Sequence, residues 1–356
     1  MISSATSTFG LFDTDRKGLA QIRARLETAN RELATGLRAD PHADLRGRAA
    51  QALSLRASAE RERGQIVSNE LLSGRMEVMA DVLSGVRDTL GTFLQVATPN
   101  RSEPGPTVSA VGQAARAAYD AIVLQMNVGY GEAHLFAGTA SGAAPLRAWS
   151  DASPRSGTSP EAIVAAAVGG PPGDGTTAAS AVAGVRAIFD IDGGSGAFEQ
   201  TLYDGTPRRD AGAQPLPRVA ASIGGGATLA YGVQANDPGF VAALEGLAML
   251  IAAPPSEIDD PDAYATWMGA AMTAIEGGLS TIRQDETRLG AQQARLEDHM
   301  DRQAVLVGIY ENQTIELEGI DPYEAANRVV QLTSTLEASY AATSMISNLT
   351  YLDFLR

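Results

Sequence analysis

The chain has 356 residues, a formal net charge of -15 and a pI near 4.7, with no cysteine and three histidines. The length allows two or three domains with a sizeable core. The acidity argues against nucleic acid or an anionic membrane as main partner, and the lack of thiols excludes disulfides and thiolate chemistry. His42, His134 and His299 are too far apart to form a zinc motif by spacing, so no metal or cofactor is expected.

The first residues, MISSATSTFGLFDTDRK, lack a basic start followed by an apolar run, so no cleaved secretory signal is expected. No stretch reads as long and apolar enough to span a membrane, and no membrane insertion is expected. Residues 15–97 contain few turn formers. Leu19, Ile22, Leu26, Ala29 and Leu33 step by three and four, and Leu72, Met76, Met79, Leu83, Val86, Leu90 and Phe93 resume the rhythm after Pro41. That spacing lays one apolar stripe along a helix. The segment TPNRSEPGP at 98–106 breaks the pattern. A shorter helix is expected over about 108–130, with Val111, Ala115, Ala118, Ile122 and Met126 on one face.

The middle, about 139–258, is rich in Gly, Ala, Pro and Ser. Four short strands are expected at Val185–Ile191, Glu199–Tyr203, Arg218–Ile223 and Thr228–Val233, with turns at Asp204-Gly205 and Gly224-Gly225-Gly226. Pro154–Ala179 reads as a long loop or a partly disordered stretch. A helix is expected over 238–252, with Asp237 capping its first amides and Pro238 at its first position.

The helical rhythm returns after Asp260-Pro261. Ile275, Leu279, Ile282, Leu289, Leu296, Met300, Val307, Tyr310 and Leu317 form an imperfect stripe, interrupted by Glu286, Gln293 and Gln303. Polar residues on such a seam cost stability but set register. Gly319 breaks the helix and Asp321-Pro322-Tyr323-Glu324 restarts it in a capping-box arrangement. Val329, Leu332, Leu336, Tyr340, Thr343 and Ile346 stripe the last helix. Apolar residues continue to Leu349, Leu352, Phe354 and Leu355, close to the final Arg356.

The expected fold is mainly α: a long antiparallel bundle of N- and C-terminal helices with a small β-containing middle domain. The expected segments are an N-terminal helical part at 1–138, an outward-facing α+β middle at 139–258 and a C-terminal helical part at 259–356. Leu33, Leu83, Val86, Leu332, Leu336 and Ile346 are the expected bundle-packing residues. Leu349, Leu352, Phe354 and Leu355 are the expected contacts between subunits.

Several motifs together resemble the flagellin family. Glu32-Leu33-Ala34-Thr35-Gly36-Leu37-Arg38, followed by Asp40-Pro41, resembles the family's turn after its first helix. Gly36 suits a left-handed helix end and Pro41 discourages continuation. Ala49, Ala50, Ala52, Leu53, Leu55 and Arg56 resemble the start of the second helix. Leu124-Gln125-Met126-Asn127 and His134-Leu135-Phe136-Ala137-Gly138-Thr139 resemble the exit from the bundle. The segment from Ala230 to Phe240 is similar to one in the family's hook-associated members of alphaproteobacterial type. Leu336 to Tyr340 and Ile346 to Thr350 are similar to the shared C-terminal signature. The resemblance covers roughly 15–138 and 265–356. The stretch Pro41 to Arg48 lacks the Asp-Asp-Ala-Ala-Gly-Leu-like run of filament flagellins.

The resemblance implies a structural, non-enzymatic, extracellular part of the bacterial flagellum, exported without a cleaved signal. The implied partners are copies of itself, adjacent hook-associated protein and flagellin subunits, and an export chaperone. Filament flagellin is the alternative. A hydrolase in the middle domain is the distant one, and no nucleophile, base and acid group together in the sequence to favour it. Gly224-Gly225-Gly226 has no Gly-Lys-Ser/Thr behind it and reads as a turn, not a phosphate loop. Asp190 and Asp192 read as solvent-facing, and His134 as a satisfied, half-buried histidine. Trp149 and Trp267 are weighed as interface anchors against core packing.

Overall fold

The computed structural model describes residues 8–191, 197–210 and 212–352. In chain order its elements are α1 (Thr8–Thr35), α2 (Pro41–Leu45), α3 (Ala49–Ala97), α4 (Val108–Met126), β1 (Gly129–Tyr130), β2 (Ala133–His134), α5 (Pro160–Val168), α6 (Gly175–Ile188), β3 (Ala220–Gly224), β4 (Ala227–Ala230), α7 (Pro238–Ala252), α8 (Pro261–Glu318) and α9 (Pro322–Leu352). The fold is mainly α. The strands form two separate antiparallel pairs, β1 with β2 and β3 with β4.

Two compact units emerge. The first comprises residues 1–64 and 302–356, and the second residues 65–301. These boundaries fall inside α3 and α8, whereas the sequence segments ending at 138 and 258 follow changes of composition.

In the first unit, α1 packs along α9. Arg23 meets Tyr340 and Glu32 meets Arg328, so the helices run antiparallel. Their stripes are small or half-covered. Ala29 and Ala325 are buried, while Leu19, Ile22, Leu26, Val329, Leu332 and Leu336 are half-buried. The starting part of α3 and the closing part of α8 are linked by Arg56 to Glu318, Arg63 to Glu311 and Gln303 to Glu62.

The second unit holds the large core. Met76, Met79, Leu83, Val86 and Leu90 from α3 join Val111, Ala115, Ile122 and Met126 from α4. From α8 come Ile275, Ile282, Leu289 and Leu296. Helix α7 is apolar nearly all round, with Phe240, Leu244, Leu247 and Leu250 fully buried. The segment Pro238–Glu257 has the length and hydropathy of a membrane span, contrary to the sequence expectation. It is apolar because it lies in the core: two-thirds of it is buried inside the protein. Glycines bring α7 and α8 together. A Cβ on Gly278 would sit 2.6 Å from the Gly239 carbonyl oxygen and 2.7 Å from the Ala243 nitrogen.

The expected four-strand middle is corrected. Val185–Ile191 belongs mostly to α6, where Ala178, Ala181, Val182, Val185 and Ile188 are buried at helical spacing. A capping box starts that helix: Asp174 accepts from the Thr177 amide, and the Thr177 hydroxyl serves the Asp174 amide. Glu199–Tyr203 is largely a wide helical turn, Phe198–Leu202, whose two end residues are buried. The other two strands exist as β3 and β4, shifted by one to three residues, and Gly224-Gly225-Gly226 joins them with φ of 100°, 59° and 76°. The expected loop at Pro154–Ala179 contains α5, capped by the Ser159 hydroxyl, and the start of α6. The helix expected to 130 stops at Met126, where Asn127 caps it and β1 follows.

Candidate assembly surface

The first unit turns at two chain reversals that pair with each other. Gly36 ends α1 at φ 70°, in the left-handed region, and its amide donates to the Glu32 carbonyl at 2.8 Å. The next residue, Leu37, bridges to Gly319 at the end of α8. The Arg38 amide donates to the Glu318 carbonyl at 2.9 Å, and the Ile320 amide to the Gly36 carbonyl at 3.1 Å. Pro41 opens α2 after Asp40, whose carboxylate caps the Ala43 amide at 3.1 Å. Asp321 caps α9 through the Tyr323 amide at 2.8 Å. The Glu324 carboxylate of the expected capping box is engaged by Arg328 at 2.8 Å.

Two buried carboxylates hold this corner. Glu32 accepts from the Ala39 amide at 3.1 Å and from Arg328 at 3.4 Å. Glu318, 2% exposed, takes Arg56. A buried carboxylate stays tolerable only while such donors satisfy it. Both belong to stretches read for their glycines and apolar residues, so their bonding roles were missed. The signal was available: Glu32 stands one helical turn before the helix-ending Gly36, and Glu318 stands directly before Gly319.

The expected packing residues separate. Leu83 and Val86 are fully buried, but in the second unit's core. Leu33, Leu332 and Leu336 lie on the α1 and α9 pair, with Leu33 38% exposed and the other two half-buried. Ile346, Leu349 and Leu352 lie on the α9 backbone, and their side chains are outside the described residues, as are Phe354 and Leu355 altogether. Gly138, at φ 70°, serves a turn in the second unit, where a Cβ would meet Gln234 Nε2 at 2.6 Å and Thr206 at 2.9 Å.

Uncovered apolar side chains mark the helices of the first unit. Leu53, Val305, Ile315, Val330 and Met345 are each more than half exposed, and Tyr323 stands at 83%. Apolar side chains gathered into a contiguous patch mark a site of protein contact, whereas single ones are ordinary surface. The two tryptophans are elsewhere. Trp149 packs edge-on to Tyr119 at 5.0 Å, and Trp267 donates its indole N–H to the Ala253 carbonyl at 3.0 Å; both are buried, so neither is an interface anchor. His134 is half-buried with Nδ1 at 2.8 Å from the Asn127 carbonyl oxygen.

Two of the polar interruptions of the α8 stripe, Glu286 and Gln303, are partnered across to α3. Arg87 reaches Glu286 at 2.7 Å and Gln303 reaches Glu62 at 3.1 Å. Asp237 does not cap α7. It is clamped by both terminal nitrogens of Arg218 and accepts from the Gln234 amide at 3.0 Å. The Asp237 hydrogen bond raises the Arg218 pKa above its ordinary value. Burial likewise raises Asp285, whose second oxygen is left unpartnered. Among the described residues no three His, Cys, Asp or Glu side chains gather in a way that could hold a metal ion.

The long helices, the close antiparallel α1 and α9, and the exposed apolar residues define a mainly helical chain with apolar side chains left uncovered. Residues 272–355 match the family model of the bacterial flagellin C-terminal helical region. That segment is similar to the C-terminal helical region of the flagellin family. Among solved structures it is similar to a Vibrio parahaemolyticus chain assigned as a flagellar hook-associated protein. The identity is 14%, the TM-score is 0.51, and the match covers 78% of this chain and 98% of that one. At that identity the likeness speaks for the fold. Among curated proteins none matches.

Proposed function

We propose that the chain is a structural subunit of the bacterial flagellum at the junction between hook and filament. The observation that carries the reading is the C-terminal segment 272–355, similar to the flagellin C-terminal helical region, together with the large apolar side chains that stand uncovered on the helices of the first unit. Packing between subunits buries such residues and turns an unfavourable surface into assembly energy. Leu349, Leu352, Phe354 and Leu355 are assigned, from the sequence alone, to contacts with neighbouring subunits. The partners are further copies, an adjacent hook-associated protein and flagellin, with a chaperone holding the apolar ends before export. The subunit leaves the cell by the flagellar export route and performs no reaction.

The junction is favoured over the filament by the stretch Pro41 to Arg48. It forms α2 and a short turn but lacks the acidic, alanine-rich run of filament flagellins. Immunogold labelling of isolated hook and filament structures, with an antibody to residues 140–255, tests the choice. A narrow band at the boundary is expected. Label along the whole filament would make the chain a flagellin, and no label on either structure would reject the flagellar role.

A further inference from the structure

A groove of about 550 Å³ runs between α3 and α4 inside the second unit. Its α3 wall carries Gly85, Thr89, Thr92 and Val96, a four-three-four spacing of small and branched residues. Its α4 wall carries alanines and ends at Gln125. Such a row is a set of holes at the repeat of a helix, with no knob in them. One polar group in it is unmet. Gln125 donates Nε2 to the Thr89 hydroxyl at 3.3 Å, and its Oε1 is buried without a partner. At the same end, Asp88 projects from the rim with its side chain 71% exposed, its Oδ1 accepting from the neighbouring Arg87 Nε at 3.3 Å and its Oδ2 left for a second donor.

The same chain carries a matching set of knobs. On α8, Arg302, Val305 and Ile309 follow each other by three and four, all exposed. No carboxylate pairs with Arg302 among the described residues. An arginine offers several donors in one plane, enough for a carboxylate and an amide oxygen together.

We propose that the α3 and α4 groove of one copy receives the Arg302, Val305 and Ile309 face of α8 from a second copy. Val305 and Ile309 fill the row beside Thr89 and Thr92, and at the groove's end Arg302 reaches Asp88 and, as the Gln125 amide turns outward, its Oε1. The chain's charge of -15 makes copies repel each other, so contact between copies needs a local pair of opposite charges to direct it. Different patches meet on the two copies, so the contact is head-to-tail and repeats from copy to copy. The inference rests on the assembly reading above and names which faces meet.

The absence of cysteine makes the test direct. Thr92→Cys and Val305→Cys proteins are mixed at concentrations where the chain sediments as an assembly, then oxidised. A disulfide-linked dimer is expected in the mixture, with none from either variant alone. Asp88→Arg is expected to lower the crosslinked yield on the order of tenfold, and adding Arg302→Asp on the second copy to restore it. Sedimenting assemblies without the mixed crosslink overturn this contact and leave the assembly reading standing. A chain that never assembles overturns both.

Discussion

The two units solve the problem of burial in opposite ways. The second buries Trp149, Trp267, Tyr119, Tyr264, Phe136 and Phe240 with rows of Leu, Ile and Met. The first buries Ala29, Ala52, Ala59 and Ala325 with little more than Leu45 and Val307 among its described residues, and leaves larger side chains outside. A fully buried large apolar side chain contributes about 1.5–3 kcal/mol, whereas fixing one backbone residue costs about 1–2 kcal/mol. Alanine contributes too little burial to offset that cost. The comparison teaches where the chain buries enough to carry its own stability and where it buries little. Small residues let α1 and α9 approach closely, and they give that pair little burial of its own.

Substitution of large residues breaks the comparison most strongly. Trp267→Ala removes a fully buried indole and orphans the Ala253 carbonyl. It is expected to cost about 3–5 kcal/mol in denaturant unfolding of the second unit. Leu33→Ala, at a position 38% exposed, is expected to cost under about 1 kcal/mol in the single chain. Its effect should appear instead in assembly. Equal losses from the two variants would show that the first unit has a core of its own.

A smaller effect sharpens the account of the second unit. Gly278→Ala places a methyl 2.6 Å from the Gly239 carbonyl oxygen, backbone against backbone, where no flexible side chain can give way. A loss of about 1–3 kcal/mol is expected in the same assay. Gly277→Ala is its control, because a Cβ there meets nothing within 4 Å. That variant is expected to gain a few tenths of a kcal/mol from helix propensity, within about 1 kcal/mol. Matching losses at both positions would mean that the close α7 and α8 crossing is not what these glycines serve.

Much of the fold was legible because long helices repeat their signal. The stripes of α3, α4 and α8 named their buried residues, and Gly36, Gly319, Asp260 and Asp321 marked helix ends. Asp260 caps the Ala263 amide at 2.8 Å, as its place before Pro261 suggested. The middle was harder. Val185 to Ile191 alternates like a strand over seven residues, but Ala178, Ala181 and Val182 before it supply the helical period, and the Asp174 box supplies the start. Alanine weighs little in a pattern of hydrophobic peaks, so the longer period was hidden. At Asp237 the expected cap lost to a charged neighbour. Arg218 is 19 residues away, and a two-pronged ion pair outweighs one amide hydrogen bond. The assembly surface was legible as stripes, but which stripe residues would be covered depended on partners that spacing cannot name.

The subtlest difference expected lies in pH dependence, and it also belongs to the second unit. Asp285 is nearly buried on α8. Burial raises its carboxyl above the usual range, Arg288 opposes this, and Asp237 adds to it. Arg218 faces the same group and partly offsets Asp237. A folded-state value above the unfolded one means that the folded form binds the proton more tightly. The resulting stabilisation is complete below the unfolded value and lost as pH rises through the folded one. At neutral pH the ionised Asp285 therefore weakens the fold. Asp285→Asn removes that charge and keeps the shape, and Arg288 is exposed enough for water to replace its lost partner. The variant is expected to unfold at a higher temperature than the parent at pH 7, with the gap closing as pH falls toward 4. A gap that stayed constant with pH would locate the gain in packing, and a variant less stable at pH 7 would mean that Arg288 and Arg218 stabilise the charged form more than burial penalises it.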